Sequence, residues 1–316
     1  MPLNRRLFGP ARVSFRVILT VISHRLRDKD SFLGFDIPQD SSAGARFEDH
    51  AGLCAHVVAL TDIGKRRKNN EDNYLVLPLD GKVLRESSEG FTFSLSEPGL
   101  LLAVADGMGG HQSGEVASRL CVENVGEELL GRLPEDRIAG RDLDSVFRSA
   151  VEATHSLIYN ASQGDQALQG MGCTLTAALL YQRRAAIAQV GDSRAYLFRE
   201  GRLSLLTEDQ TVGNLLRSGD ESAPLGDRVN DILTQAMGAQ EKLNVVMSSA
   251  RLEPYDSMLI CCDGVYKVVS DEETTQILAW ETPLRAKAEA FITQANQNGG
   301  PDNITVVLAQ IRPRTE

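Results

Sequence analysis

The sequence predicts an α+β fold, and three observations carry that reading. Short runs of aliphatic and β-branched residues recur along the chain. Several are joined by only a few residues, which imposes antiparallel pairing. The longer segments between them keep apolar residues on one helical face, as helices do when each covers a sheet. Antiparallel sheets flanked by helical layers follow.

Taken in order, the first strands are expected over Ala55–Thr61 and Asn73–Leu77. Gly81 to Gly99 reads as an added loop or hairpin, and Leu100–Ala105 as the next strand. Ser113 can cap a helix with Val116, Leu120 and Leu129 inward. Asp142 can cap a second, with Leu143, Val146, Phe147, Ala150, Val151, Thr154 and Ile158 on one face. Strands Thr174–Tyr181 and Ala185–Val190 are joined by a short link. Arg194–Phe198 then turns through Arg199-Glu200-Gly201-Arg202 into Leu203–Leu206, a hairpin. Met258–Cys262 and Ile304–Ala309 complete the strands. Between them, Thr282-Pro283 opens a helix that buries Phe291, Ile292 and Ala295.

Composition bounds the rest. The 316 residues are 42% hydrophobic and 24% charged, as in an ordinary globular protein. A net charge of −10 argues against a general nucleic-acid-binding surface. The five cysteines lack C-x-x-C spacing, and three of them lie in apolar runs and read as small core residues in a reducing cytoplasm. No apolar stretch is long enough to span a membrane. Residues 1–30 carry seven basic and two acidic groups, a net +5, so the remainder holds −15. That segment could touch a membrane or a partner as a basic amphipathic stretch. The simpler reading is a flexible tail or a start codon set too far upstream. Residues 31–54 are rich in Ser, Gly and Asp, as linkers are. The chain therefore divides into an N-terminal extension over 1–54 and a packed domain over 55–312.

Five aspartates fall at strand edges. Asp72 and Asp302 precede strands; Asp106, Asp192 and Asp263 follow them. If those edges share one rim, the carboxylates crowd together and raise one another's pKa until something neutralises them. Hard divalent cations with oxygen ligands do so, which points to Mg²⁺ or Mn²⁺; no Cys/His spacing suggests zinc. Singly, each residue has a plainer role. An Asp-Gly pair is mostly a turn. Asp62 can cap a turn with Gly64, Asp192 can pair with Arg194, and Arg67 sits in a basic run of the kind usually found on a solvated face. His111 is most simply a helix-end residue, the alternative being a proton donor.

Taken together, the segments Asp62-x-Gly64-x-x-Arg67-x-x-Asn70-Glu71-Asp72, Asp106-Gly107-Met108-Gly109-Gly110-His111, Met171-Gly172-Cys173-Thr174, Val190-Gly191-Asp192-Ser193-Arg194, Asp263-Gly264 and Asp302-Asn303-Ile304-Thr305 are far more specific. They resemble the metal-dependent serine/threonine protein phosphatases of type 2C, the PPM family, in their compact bacterial form, from about Ala55 to Arg312. The resemblance implies a four-layer αββα sandwich of two antiparallel β-sheets with helix pairs outside. It implies two Mn²⁺ or Mg²⁺ ions, with Asp106 bridging them and the Gly107 carbonyl on one. Asp263 and Asp302 would complete the other, while Asp72 and Glu71 would contact metal or its water. Asp192 with Asp263 would hold a third, weaker cation. Arg67 would bind phosphate. A hydroxide shared by the two ions would attack phosphoserine or phosphothreonine in proteins, with no phosphoenzyme.

The same resemblance makes Thr211 to Leu233 a substrate-facing surface loop. It implies phosphorylated proteins as partners, with a Ser/Thr kinase whose work the enzyme opposes, and a monomer acting in the cytoplasm. Relatives in eukaryotes carry a histidine where Met108 stands, which leaves the general acid to His111 or to metal-held water. The alternative function is a catalytically silent phosphatase-like regulatory or binding module, against which the intact acidic set argues. A hydrolase of small phosphoesters ranks last, as the chain has no P-loop.

Overall fold

Fourteen strands and six helices form the described part of the chain: residues 52–96, 99–108, 113–133, 142–217 and 231–314 of a computed structural model. The strands are β1 Leu53–Asp62, β2 Asn73–Pro78, β3 Arg85–Ser87, β4 Gly90–Ser94, β5 Leu100–Ala105, β6 Gly107–Met108, β7 Gly172–Cys173, β8 Leu175–Tyr181, β9 Arg184–Val190, β10 Arg194–Arg199, β11 Arg202–Leu205, β12 Val246–Arg251, β13 Ser257–Cys261 and β14 Ile304–Pro313. The helices are α1 Ser113–Arg132, α2 Leu143–Gly164, α3 Val212–Arg217, α4 Asp263–Tyr266, α5 Asp271–Ala279 and α6 Leu284–Gln297.

All pairings are antiparallel. One sheet runs β11-β10-β13-β14-β1-β4-β3, the second β12-β9-β8-β5-β2, and β6 pairs only with β7. Alternation along β5 explains how the layers stack. Leu100, Leu102 and Val104 join a core shared with β1, β13 and β14. Leu101, Ala103 and Ala105 face a second core beneath α1 and α2. Helices α5 and α6 pack on the seven-stranded sheet, α6 against β1 and β14 and α5 against β11. The expected α+β class with two antiparallel sheets is what forms.

Several local expectations meet corrections. The domain's first strand starts at Leu53, so residues 53 and 54 belong to β1 rather than to a linker. Ser113 is inside α1, and the buried stripe of that helix is Ala117, Cys121, Val125 and Leu129; Val116 and Leu120 are only half-buried. Asp142 caps α2 as expected, accepting from the Ser145 amide at 3.3 Å. Ile292 is half-buried beside the buried Phe291 and Ala295. The segment Gly81–Gly99 contains the β3–β4 hairpin. Glu200 (φ 50°) and Gly201 (φ 78°) turn between β10 and β11 in the left-handed region. The strand β12 and helix α5 were not foreseen. Residues 1–51, including most of the extension, lie outside the described residues, as do His111 and residues 218–230 of the expected substrate-facing loop.

Candidate active site

The segments that bear the aspartates meet at one end of the two sheets. Their loops line a cleft of about 360 Å³ walled by Arg67, Glu71, Asp106, Gly107, Met108, Thr174, Asp192, Asp231, Leu233, Asp263 and Asp302. Of the sequence-expected residues, Arg67, Glu71, Asp106, Gly107, Asp192, Asp263 and Asp302 therefore converge. Asp72 is buried just behind this wall, where its Oδ2 accepts from the Thr305 hydroxyl at 2.6 Å.

Backbone and hydroxyl contacts hold each loop. The Asp106 amide donates to Thr174 Oγ1 at 3.0 Å, and the Thr174 amide donates to the Asp106 carbonyl at 2.8 Å. Thr174 Oγ1 also meets Ser193 Oγ at 2.7 Å, so the Asp106 and Asp192 loops are cross-braced. Asn303 does similar work opposite. Its Oδ1 accepts from the Glu71 amide at 2.9 Å, and its Nδ2 donates to the carbonyls of Ile63 and Asn69. Two glycines are needed for close approach. A Cβ on Gly107 would strike the Gly114 and Glu71 carbonyl oxygens, and one on Gly264 would strike the carbonyl of Asn303.

The electrostatics divide the acidic residues. Burial, reinforced by Asp72, Asp263, Asp192 and Asp302, pushes the Asp106 carboxyl well above the usual carboxylate range. Burial also raises Asp72 to about 7, against relief from Thr305, and Asp192 to about 6, with Asp263 adding to the shift. Two carboxylates instead lie against cations of the chain. Arg67 donates to Asp302 Oδ2 at 2.5 Å, and Lys267 Nζ lies 2.8 Å from Asp263 Oδ2. Among the described residues, no three acidic, histidine or cysteine side chains stand close enough together to hold a metal ion.

The donor set nevertheless fits divalent cations. It consists of oxygens, and the buried Oδ1 atoms of Asp72 and Asp263 have no hydrogen-bond partner. An unpaired buried carboxylate oxygen is costly, and a hard cation satisfies it.

Some plainer alternatives are decided by the geometry. Arg194 pairs with Asp209, at 2.7 and 3.0 Å, not with Asp192. Asp62 does form the turn with Gly64, whose amide donates to Oδ1 at 2.8 Å. Arg67 is half-exposed yet directed to Asp302. Cys262, next to Asp263, is fully buried and its thiol is pushed well up by burial, so it is no nucleophile. The sequence reading missed Asp231 and Lys267. Lys267 had a faint signal, its place four residues after Asp263. Asp231, on an irregular segment, had none.

Comparison with known proteins gives the family and the fold. A family model described as Protein phosphatase 2C matches residues 90–308. The serine/threonine phosphatase stp of Listeria monocytogenes is 34% identical over 259 residues, 81% of this chain and 95% of its own. The serine/threonine protein phosphatase PstP of Mycobacterium tuberculosis is 36% identical over 264 residues, 82% of this chain and 45% of its own. The crystal structure of the PstP catalytic domain in complex with two manganese ions superposes with a TM-score of 0.64 at 32% identity, covering 82% of this chain and 99% of that one. The S. agalactiae serine/threonine phosphatase gives 0.67 at 30%, covering 82% and 100%.

Proposed function

The chain belongs to the protein phosphatase 2C family, and from that premise we propose that its acidic cleft removes phosphate from phosphoserine and phosphothreonine of proteins in a reaction dependent on divalent metal. The observation that carries the reading is the meeting of five aspartates, Asp106, Asp192, Asp231, Asp263 and Asp302, with one arginine in a single cleft.

In this reading Asp106, Asp263 and Asp302 hold Mn²⁺ or Mg²⁺ together with the Gly107 carbonyl, and Asp72 and Glu71 stand at the same site. Cations held there would supply positive charge facing the phosphoryl group and the Lewis acidity that activates water. The chain's own residues do the rest. Arg67 can fork two donors onto equatorial phosphoryl oxygens, exchanging its pairing with Asp302 for the substrate. Thr174 and Asn303 fix the backbone of the loops, so that only side chains have to turn toward a bound cation. Met108 and Leu233 add apolar wall where the substrate chain would pass. His111 remains the candidate to protonate the departing serine or threonine oxygen.

We place the enzyme in the cytoplasm opposite a Ser/Thr kinase, acting as a monomer; among the described residues no helix is long and apolar enough to cross a membrane. The domain is read as about residues 53–313, with the preceding residues an extension. The test is phosphate release from a phosphothreonine peptide in a Mn²⁺ titration, alongside a phosphotyrosine peptide. Turnover that needs Mn²⁺ and favours phosphothreonine supports the reading. Mn²⁺ binding without hydrolysis of any phosphoester would favour the silent regulatory module.

A further inference from the structure

Resting on that reading of the cleft, we infer that Lys267 is a built-in counter-ion for Asp192 and Asp263, occupying with its ammonium the place a third divalent cation would take. Its Nζ lies 2.8 Å from Asp263 Oδ2, 2.9 Å from Asp231 Oδ1 and 4.0 Å from Asp192 Oδ2. An ammonium is a compact charge with three donors, so it can face several carboxylates at once, as a small cation does. Its side chain is two-thirds covered, which weakens solvent screening of these contacts.

The neighbouring groups leave this role to Lys267. Asp192 Oδ2 accepts from the Tyr266 hydroxyl at 3.2 Å, a contact that carries no charge. Arg194 is committed elsewhere: it forks onto Asp209, donates to the Tyr196 hydroxyl, and lies 3.8 Å over the Tyr266 ring. A divalent ion entering between Asp192 and Asp263 would meet the ammonium at close range and would have to displace it. Lys267 thereby replaces the third cation that the sequence resemblance assigns to Asp192. Through Asp231 it also ties the segment following residue 230 to the floor of the cleft. Lys267 is a positioning residue in this account.

The experiment counts bound Mn²⁺ by electron paramagnetic resonance of the free ion, on the full chain of the wild type, Lys267→Met and Lys267→Arg. The wild type should bind two ions. Lys267→Met should bind a third, or hold its weakest ion at least about tenfold more tightly. Lys267→Arg, which keeps the charge, should match the wild type. Three ions of comparable affinity in the wild type, or a Lys267→Met isotherm that superimposes on the wild-type one, would overturn the proposal. Two retained ions in Lys267→Met report an intact fold, since their ligands come from distant segments. Should that variant not fold, the wild-type count alone decides. A wild type that binds no Mn²⁺ would overturn the metal-dependent reading itself, and the role of Lys267 with it.

Discussion

The two sides of the acidic cleft handle the same problem differently. On one, Asp263 and Asp302 are compensated by the chain's own cations, Lys267 and Arg67. On the other, none of the described ion pairs reaches Asp72 or Asp106, and burial drives both carboxyls toward protonation. The difference teaches where a bound cation matters most. The compensated side holds its shape without help. The uncompensated side carries a folding cost that a proton or a metal ion removes.

The largest test of this contrast is Asp106→Asn. It should lower Mn²⁺-dependent release of phosphate from a phosphothreonine peptide by about 10²–10³-fold or more, comparable to losing a principal charge-stabilising group. An equally active variant would break both the comparison and the site. Next is Asn303→Ala, which removes the brace between the Asp302 segment and the loop of Ile63, Asn69 and Glu71. It should cost about 2–4 kcal/mol in denaturant unfolding, from several buried groups losing their partner.

Arg67→Ala comes third. Loss of a charged hydrogen bond to phosphate, worth about 1.5–3 kcal/mol, predicts a fall in kcat/KM of about 10–100-fold. Mn²⁺ binding should persist in this variant, because Arg67 competes with metal for Asp302 rather than supporting it.

The smallest effect is in pH dependence. Asp72 and Asp192 have folded pKa values raised to about 7 and about 6, so between the ordinary carboxylate range and those values the folded state binds more protons than the unfolded one. Stability of the metal-free protein should therefore fall as pH rises from about 4 to about 7, by at most about 1.4 kcal/mol per pH unit for each carboxyl. Melting curves in a chelator read this directly. Saturating Mn²⁺ should flatten or reverse the trend, since metal binds the deprotonated carboxylates. A chelated protein that gains stability toward pH 7 would show that these buried carboxyls carry no such strain.

Much of this molecule was legible in the chain. Strands such as Leu100–Ala105 and Ile304–Ala309 announce themselves by local hydrophobic pattern, which depends on neighbours in sequence. β12, Val246–Arg251, escaped because it is a half-exposed edge strand with two serines, so its apolar signal is diluted. Helix α5 opens on a capping box, Ser270 with Glu273, a local signal that the sequence does carry.

By itself the sequence determined the class of fold, the aspartates at strand edges and the family they resemble, because those features are short-range patterns of residue type. Tertiary structure alone decided which carboxylates meet which cations. Arg67 reaches Asp302 across 235 positions, and Asp231 joins Lys267 and Asp263 from an irregular segment. Such pairings follow from sheet order and loop path, which bring distant charges within a few ångströms, and no local periodicity encodes that distance.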